Sequence, residues 1–592
     1  MSLSTLDWGI IISFFIVFAI IGIAVSKKSG KSAKEFFLSG RNMPWWLLGI
    51  SMVATTFSAD TPNLVTDIVR QNGISGNWVW WAFLLTGMLT VFVYAKLWRR
   101  SEVLTDLEFY EIRYSGKAAA FLRGFRAIYL GVFFNVMIMA SVCLAAIKIG
   151  GILFGLAPWQ CVLYASIITV IYSALGGLRG VIFTDFLQFI VAMIGSIAAA
   201  YYLINLPEVG GLSNLLEHAN VSDKLNFLPD FNDTKTLIPL LVIPLAVQWW
   251  SVWYPGAEPG GGGYIAQRML SAKDEKNAIG ATLLFNIAHY ALRPWPWILI
   301  ALISLVIFPE LDTIQKAFPN VDPNIIGHDL AYPAMLTKLP SGLLGLVAAS
   351  LVAAFMSTIS THLNWGSSYI AIDFYKRFIS PDVGEKKLVN IGRLSTVGLM
   401  ILAALLALAL ESALSTFNIL LQIGAGTGLI FILRWFWWRI NAYSEITGMI
   451  VSFVIAIWFE FAHEAVFGSK LEGYQELVIG VVFTTISWIS VTLITKPTDN
   501  ETLSKFYNKV KPYGIGWNGL KSKLSQTNII LDKSTDKFTV DLASMLLGVL
   551  LVYCSLFATG YFIYGNITGA LILSAITIAA VLVLMRIRRK PL

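Results

Sequence analysis

Charged residues are scarce in this chain. The 43 Lys and Arg and the 35 Asp and Glu residues together make up 13% of its 592 residues, whereas 56% are hydrophobic. A water-soluble protein needs about a quarter of its residues charged to cover its surface. The composition therefore excludes an ordinary cytosolic enzyme and indicates a protein whose surface mostly faces lipid.

Cysteine and histidine are also rare, with three and five residues. Cys143, Cys161 and Cys554 all lie in apolar stretches, so the sequence offers neither a disulfide framework nor metal-ligand spacing. The histidines are scattered and form no cluster. The net charge of +8 is the only feature that suggests nucleic acid as a partner. Whether it does so depends on where the basic residues lie in the chain.

Long apolar runs are the dominant feature of the sequence. We count about fifteen transmembrane runs of roughly 20 residues, each long enough to cross a bilayer core of about 30 Å as a helix. The first run, near residues 8–25, has no basic residue before it and is followed by Lys27, Lys28, Lys31 and Lys34. Because a signal peptide has the opposite flanks, we interpret it as a retained span with its N-terminus outside.

Most Lys and Arg residues fall in loops on the same side as Lys27 and Lys34. The positive-inside rule assigns that side to the cytoplasm, which also predicts a cytoplasmic C-terminus. The expected location is the plasma membrane, or the inner membrane in a bacterium. The positive charge then reflects loop topology, so we expect the lipid bilayer and not nucleic acid as a partner.

The runs divide the chain into seven segments. We predict an N-terminal accessory helix with a cytoplasmic loop, a five-helix repeat, an external loop, a second five-helix repeat, accessory helices, a polar cytoplasmic linker, and two C-terminal accessory helices. The linker is expected to be a solvated tether. The boundaries are 1–44, 45–205, 206–235, 236–438, 439–495, 496–540 and 541–592.

Two spans carry residues that interrupt a helix. Pro62 disfavours helical backbone at Thr61, so the span at 45–69 is expected to unwind there. The span at 236–272 contains the prolines and glycines of residues 255–263. Unwound backbone persists in a bilayer only where protein encloses it, and two such breaks in corresponding positions indicate inverted halves around a midplane site. Alternatively, both are kinks or re-entrant turns that serve packing alone.

Hydroxyl side chains gather on the span at 340–374. Ser357, Thr358 and Thr361 share one helix face, with Ser360 beside them. Hydroxyl and carbonyl oxygens are hard donors that suit a dehydrated hard cation. The alternative is that these residues bond back to the preceding turn or allow close helix packing.

Asp185 lies about eight residues into a span, on the order of 10 Å from the cytoplasmic side at 1.5 Å per residue. A carboxylate at that depth is costly unless it is paired, so it marks an ion path by default. The alternative is a structural carboxylate that is satisfied by Arg179 or by a neighbouring hydroxyl.

Four motifs at these positions resemble those of the sodium/solute symporter family. They are Ala-x-x-Phe-Ser-Ala-Asp (54–60), Gly-Gly-Leu-x-x-x-x-x-Thr-Asp (176–185), Tyr-x-x-Gln-Arg (264–268) and Ser-Thr-x-x-Thr (357–361), the last followed by Asn364 and Asp373-Phe374-Tyr375. The resemblance implies an all-α polytopic membrane protein with a leucine-transporter-like fold of two inverted five-helix repeats plus accessory helices. It also implies sodium-coupled transport of a small solute.

The resemblance implies the ion sites as well. The sodium site would be formed by the carbonyls of Ala54, Phe57 and Ala354 and the hydroxyls of Ser357 and Thr358. Some members bind a second sodium ion, and the matching residues here are Asp185, Ser357, Ser360 and Thr361. Tyr264 matches the tyrosine that closes the cavity toward the cytoplasm. Sodium is the only metal implied, and no cofactor is implied.

The expected solute pocket departs from that of galactose carriers. Gln422 matches, but Thr61 replaces a glutamine, and the carboxylate, asparagine and lysine of the other pocket positions are absent. A sugar needs several fixed donors and acceptors, so these losses weaken a sugar assignment. Aromatic and charged residues stand nearby instead, and we expect the solute to contact Thr61, Trp253, Glu258, Tyr290, Arg293 and Gln422.

These features together predict a secondary active transporter that couples inward sodium movement to uptake of a small organic solute by alternating access. A sugar or sugar-like solute is the first choice. The alternatives are a carboxylate, a sialic acid or an amino acid, because Arg293 suits a carboxylate, or a proton-coupled carrier that uses Asp185. A transporter-like sensor and a membrane enzyme fit less well, since no signalling domain or catalytic acid–base cluster is evident in the sequence.

Overall fold

The computed structural model describes residues 3–29, 31–251, 260, 262–319, 321, 323, 326–410, 424, 426–526, 531, 532, 534 and 536–589. These residues are almost entirely helical. Their only strand-like pairing is a single bridge between Met43 and Ala272.

The first part of the chain forms a run of helices that ends at the loop predicted to be external. They are α1 (Thr5–Ser29), α2 (Ala33–Leu38), α3 (Trp45–Thr56), α4 (Asp60–Asn72), α5 (Ile74–Ser101), α6 (Phe109–Arg113), α7 (Gly116–Phe154) and α8 (Pro158–Ile204).

The second part continues with the loop helices, the second series of membrane helices and the C-terminal region. These are α9 (Leu212–Glu217), α10 (Thr234–Ala246), α11 (Gly263–Ser271), α12 (Glu275–Ile307), α13 (Leu311–Ala317), α14 (Ala331–Leu336), α15 (Leu343–Ile379), α16 (Glu385–Ala407), α17 (426–433), α18 (Ala442–Phe467), α19 (Gly473–Ile494), α20 (Asn500–Val510), α21 (Asn518–Ser525), α22 (Phe538–Ile563) and α23 (Ile567–Arg589).

Ten helices of the described part are long and apolar enough to cross a membrane, by length and composition. Four shorter apolar helices, at Thr5–Phe18, Trp45–Thr56, Pro158–Ile171 and Thr234–Ala246, coincide with four more of the predicted spans. The first part of the remaining span, predicted at 412–438, lies outside the described residues, which resume at 424 and 426. The total of about fifteen spans and the sides on which the termini lie stay predictions.

The first predicted break is present, but its predicted position is wrong. Helix α3 ends at Thr56 and α4 begins at Asp60, so the non-helical residues are 57–59. Thr61 and Pro62 belong to the first turn of α4. Proline is tolerated there because its missing N–H would have had no partner within the helix. Pro62 therefore marks the start of the second half-helix, just after the unwound segment.

Helix α8 contains two predicted spans joined at a sharp bend. The bend is at Gly177, whose φ of 54° and ψ of −165° lie outside the helical region. A Cβ atom at this position would come within 2.8 Å of the carbonyl oxygen of Phe36. Glycine is therefore required both for the backbone conformation and for the close approach of α2. The bend directs the second part of α8, which carries Asp185, alongside α3 and α15.

The centre of the molecule is the packing of α3, α8, α12 and α15. Helix α8 lies along α15 and also contacts α3, while α12 packs against α3. Helix α1 lies outside this group, against α8 and α15. Residues of both predicted repeats therefore meet around the break at 57–59.

The C-terminal region packs against the membrane helices. Phe506 of α20 and Trp517, just before α21, are buried, and the indole nitrogen of Trp517 donates to the carbonyl of Trp435 at 2.9 Å. The guanidinium of Arg113 lies over both rings, 5.5 Å and 5.2 Å from their centroids. The segment at 496–540 thus contains packed helices in addition to its polar residues.

A buried ion-pair cluster ties this region to α5. Lys96 contacts Asp536 at 2.9 Å and Asp541 at 2.6 Å, and Arg588 of the last helix contacts Asp541 at 2.9 Å. Arg100 also pairs with Asp536. Burial raises the pKa of Asp536, but hydrogen bonds from Arg100 and Lys96 outweigh burial and hold the pKa below its ordinary value.

The Asp541 carboxylate is expected to be a main anchor of the C-terminal helices. Asp541→Asn would leave the charge of Lys96 partly unpaired in a buried site, and we expect a loss of roughly 3 kcal/mol of stability. The measurement is thermal unfolding of the purified protein. Glu501→Gln is the control, because the Glu501–Lys505 pair is exposed and its loss should leave the melting temperature unchanged. Equal melting temperatures for the two variants would contradict this assignment.

Candidate ion and solute sites

The residues predicted to bind sodium lie where α15 crosses the break after α3. All five are buried, and each is at most 2% exposed. The hydroxyl of Thr358 donates to the carbonyl of Thr55 at 2.9 Å, which joins the two elements directly. The N–H of Phe57 donates to the carbonyls of Val53 and Ala54, so this backbone closes the end of α3. The structure therefore brings together the elements that carry Ala54, Phe57, Ala354, Ser357 and Thr358.

Asp185 lies beside this site and is fully buried. Its Oδ1 accepts a hydrogen bond from Ser357 at 2.6 Å, and its Oδ2 accepts one from Ser51 at 2.5 Å. Arg179, which the sequence suggested as a partner, lies 3.7 Å from Glu35 instead. The charged partner of Asp185 is Arg268, whose Nη2 lies 3.5 Å from Oδ2.

Arg268 is the functional candidate that sequence reasoning missed. It was part of the Tyr-x-x-Gln-Arg motif but received no role. It is fully buried on α11, one turn after Tyr264. An arginine within a membrane span needs an anionic partner, and this need is the signal that the sequence carries. The sequence does not indicate which carboxylate is the partner.

The guanidinium of Arg268 joins the residues predicted for a second sodium ion. Its Nη2 donates to Thr361 at 2.8 Å and to Thr55 at 2.9 Å, and its Nε donates to Ser51 at 3.0 Å. Asp185, Ser357 and Thr361 thus belong to one hydrogen-bonded cluster. The hydroxyl of Ser360, the fourth predicted residue, donates to the carbonyl of Ser357 at 3.0 Å.

Tyr264, the predicted inner gate, is fully buried at the start of α11. Its ring packs edge-on against His362 of α15, with centroids 5.6 Å apart. The N-terminus of α11 is held by Asp106, which accepts hydrogen bonds from the N–H of Gly263 at 2.8 Å and from the hydroxyl of Tyr369 at 2.6 Å. An anion at a helix N-terminus is stabilising, so Asp106 positions the half-helix that carries Tyr264.

A cavity opens beside the break. Its walls come from the residues around the break, from α5, from Tyr264 and from α12. Of the predicted solute contacts, Thr61, Tyr290 and Arg293 line it, whereas Trp253, Glu258 and Gln422 lie outside the described residues.

Arg293 supplies positive charge to this cavity and is 2% exposed. Its Nη1 donates to Thr56 at 3.2 Å, and its Nη2 lies 3.2 Å from Nε2 of His289. Among the described residues no carboxylate lies within 4.0 Å of it, and its Nε has no hydrogen-bond partner there. Asp60, the first residue of α4, is the acidic residue among the described residues that line the same cavity.

Aromatic rings form another wall of the cavity. Trp80 of α5 stacks on Tyr290 with ring centroids 5.8 Å apart and planes inclined by 20°. The imidazole of His289 lies edge-on to Tyr290 at 4.4 Å. Trp80 was not among the predicted contacts, because the sequence alone does not show which side of α5 faces the cavity.

A broken helix, a buried ion cluster and a cavity beside the break are typical of multi-pass membrane transporters that bind cargo at broken helices. The chain shares its fold with the solved structure of a Na+-coupled sialic acid symporter in a substrate-bound outward-open state. The TM-score is 0.66 with 22% sequence identity, and the match covers 84% of this chain and 99% of the other. The predicted leucine-transporter-like fold is confirmed.

The chain belongs to the sodium:solute symporter family, whose sequence model matches residues 36–452. It is 26% identical over 486 residues to the sodium/glucose cotransporter of Vibrio parahaemolyticus, covering 78% of this chain and 87% of that protein. It is 25% identical over 541 residues to sodium/glucose cotransporter 1 of Oryctolagus cuniculus, with coverages of 83% and 79%. The prediction of a sodium-coupled solute symporter, and not an enzyme, is confirmed at this level.

The predicted sodium site can be tested without knowing the solute. Thr358→Ala removes one of its two hydroxyls, and we expect the sodium concentration needed for half-maximal thermal stabilisation to rise about tenfold, equivalent to about 1.4 kcal/mol. Ser367→Ala is the matched control, because that hydroxyl is buried on the same helix but donates to the carbonyl of Asn364. An unchanged sodium midpoint for Thr358→Ala would argue against this site.

Proposed function

We propose that the protein couples sodium entry across the plasma membrane to the uptake of a sugar or sugar-like solute. In a bacterium the location would be the inner membrane. One observation carries the proposal: the cavity and the candidate sodium site share the break at 57–59. Thr61 and Thr56 line the cavity, and the adjacent Thr55 carbonyl contacts Thr358 of the candidate sodium site.

The lining of the cavity supports a polyhydroxylated ring. The stacked pair of Trp80 and Tyr290 offers a flat apolar surface for the face of such a ring. Thr61, Thr56 and Arg293 offer polar groups for its hydroxyls. The relatives named above are sodium/glucose cotransporters, and a further relative is named sodium/myo-inositol cotransporter 2. These names suggest a similar class of solute here.

The shared break also suggests how the two ligands are coupled. A sodium ion bound to the carbonyls of Ala54 and Phe57 would hold the conformation of the break, and the break shapes one wall of the cavity. Each ligand would then raise the affinity for the other by the same factor. In this mechanism Tyr264 must move before the solute can leave toward the cytoplasm, and sodium leaves past Asp185.

Sodium coupling is better supported than proton coupling through Asp185. The carboxylate already has two hydroxyl donors and a guanidinium 3.5 Å away. These neighbours offset part of the cost that burial imposes on the charged form of Asp185. Family membership points the same way.

A solute that carries a carboxylate is the second candidate, and Arg293 favours it. This buried guanidinium lines the cavity, where a bound carboxylate would be a charge-assisted hydrogen-bond partner for it. A sialic acid or a sugar acid carries both a carboxylate, which could bind Arg293, and hydroxyls, which could bind the other polar residues of the cavity.

Uptake into proteoliposomes distinguishes these possibilities. We expect an inward sodium gradient to drive accumulation of a neutral sugar or cyclitol, and a potassium gradient to drive none. The panel should include glucose, galactose, myo-inositol, a hexuronate, a sialic acid and proline. Sodium-independent uptake driven by a pH gradient would contradict the proposal.

Arg293→Gln reports the charge of the solute. For a neutral sugar we expect the variant to raise the KM less than about tenfold, because only one neutral hydrogen bond is lost. For a carboxylate solute the KM should rise by about a hundredfold or more, because a charge-assisted pair is lost in a buried site. Arg293→Lys is the matched variant, since it retains the charge but not the bidentate geometry.

A further inference from the structure

Arg268 brings a positive charge to the residues predicted to hold a second sodium ion. Its guanidinium contacts the hydroxyls of Thr361, Thr55 and Ser51 at 2.8–3.0 Å and lies 3.5 Å from the carboxylate of Asp185. Hydroxyl and carboxylate oxygens are the groups that a sodium ion would use. The guanidinium therefore uses oxygens that a cation at Asp185 would need.

The charges in this cluster explain why the arrangement is stable. Asp185 and Arg268 are both fully buried, with one negative and one positive charge. If the cluster lost its cation, Asp185 would be left unpaired at membrane depth, which is costly. If sodium joined the cluster while Arg268 stayed, two cations would share one carboxylate and the same hydroxyls.

The cluster also joins both repeats. Asp185 lies on α8, and Ser51 and Thr55 lie on α3, all within the first predicted repeat. Arg268 is on α11 and Thr361 is on α15, within the second. A cation at this point therefore links the two halves of the fold. Arg268 is further held by its own half-helix, since its Nη1 donates to the carbonyl of Tyr264 at 3.4 Å.

We propose that Arg268 is a built-in counter-cation that competes with sodium for Asp185. In the sodium-free carrier the guanidinium neutralises Asp185 and links the repeats, which allows the empty carrier to return across the membrane. When sodium binds at Asp185, the guanidinium gives up its contacts there. This proposal rests on the proposed function, and it assigns a role to a residue outside the predicted ion and solute sites.

The test compares net uptake with exchange. In Arg268→Gln the sodium-free carrier has an unpaired Asp185, so we expect net uptake to fall about tenfold or more. Exchange of labelled for unlabelled solute, with sodium on both sides, does not require the empty carrier to return and should stay within about twofold of wild type. The sodium midpoint of thermal stabilisation should fall about tenfold, because the competing cation is gone.

Two further variants keep the test decisive if Arg268→Gln folds poorly. Asp185→Asn/Arg268→Gln removes both charges, so it should recover thermal stability relative to the single variant. Arg179→Gln is the matched control, because Arg179 faces Glu35 outside the cluster and should leave sodium affinity and net uptake unchanged. Equal losses of exchange and net uptake in Arg268→Gln, or an unchanged sodium midpoint, would overturn the proposal.

A different result would contradict the proposed function, namely no sodium-driven uptake of any solute in the panel by the wild-type chain. The sodium midpoints of the wild type and Arg268→Gln would still test competition at Asp185, because thermal stabilisation by sodium chloride against potassium chloride needs no solute.

Discussion

Backbone polar groups cannot be left unsatisfied inside a bilayer, and the structure of this protein depends on how that constraint is met at the break between α3 and α4. The hydroxyl of Thr358 covers the Thr55 carbonyl from α15. The hydroxyl of Thr61 accepts from the N–H of Ser58 at 3.3 Å. The break therefore needs neighbouring helices around it, and that enclosure creates a polar space at membrane depth.

Buried charged residues lie around this polar space. Asp185 and Arg268 lie on one side of the break, and Arg293 and Asp60 line the cavity on the other. They are carried by α8, α11, α12 and α4, which belong to both predicted repeats. Because Asp185, Arg268 and Arg293 have partners on other helices, movement of one repeat against the other would change these contacts.

Much of this architecture follows from sequence patterns. Apolar length predicts the membrane helices, since about 20 residues are needed to cross a bilayer. Pro62 predicts a break near the correct place, although the unwound residues are 57–59 and the proline starts the next helix. The hydroxyls of α15 and the carboxylate of Asp185 are also recognisable, because polar groups are conspicuous in apolar segments.

Pairing across helices was not predictable in the same way. Arg268 follows Asp185 by 83 positions, and nothing local in either segment specifies that they meet. Trp80 likewise faces the cavity only because of how α5 is rotated against α12. The segment at 496–540 is polar enough to suggest a tether, yet Phe506 and Trp517 are buried against Arg113 because the folded membrane helices present a matching surface.

The sequence by itself determined that this chain is a membrane protein, that a helix is interrupted close to Pro62, and which family its motifs resemble. These properties depend on local composition and spacing. Only the tertiary structure decided that Arg268 is the charged partner of Asp185, and that the candidate sodium residues and the cavity lie at one break. The physical reason is that a buried charge or an unwound carbonyl is stabilised by groups distant in the sequence, and packing alone selects them.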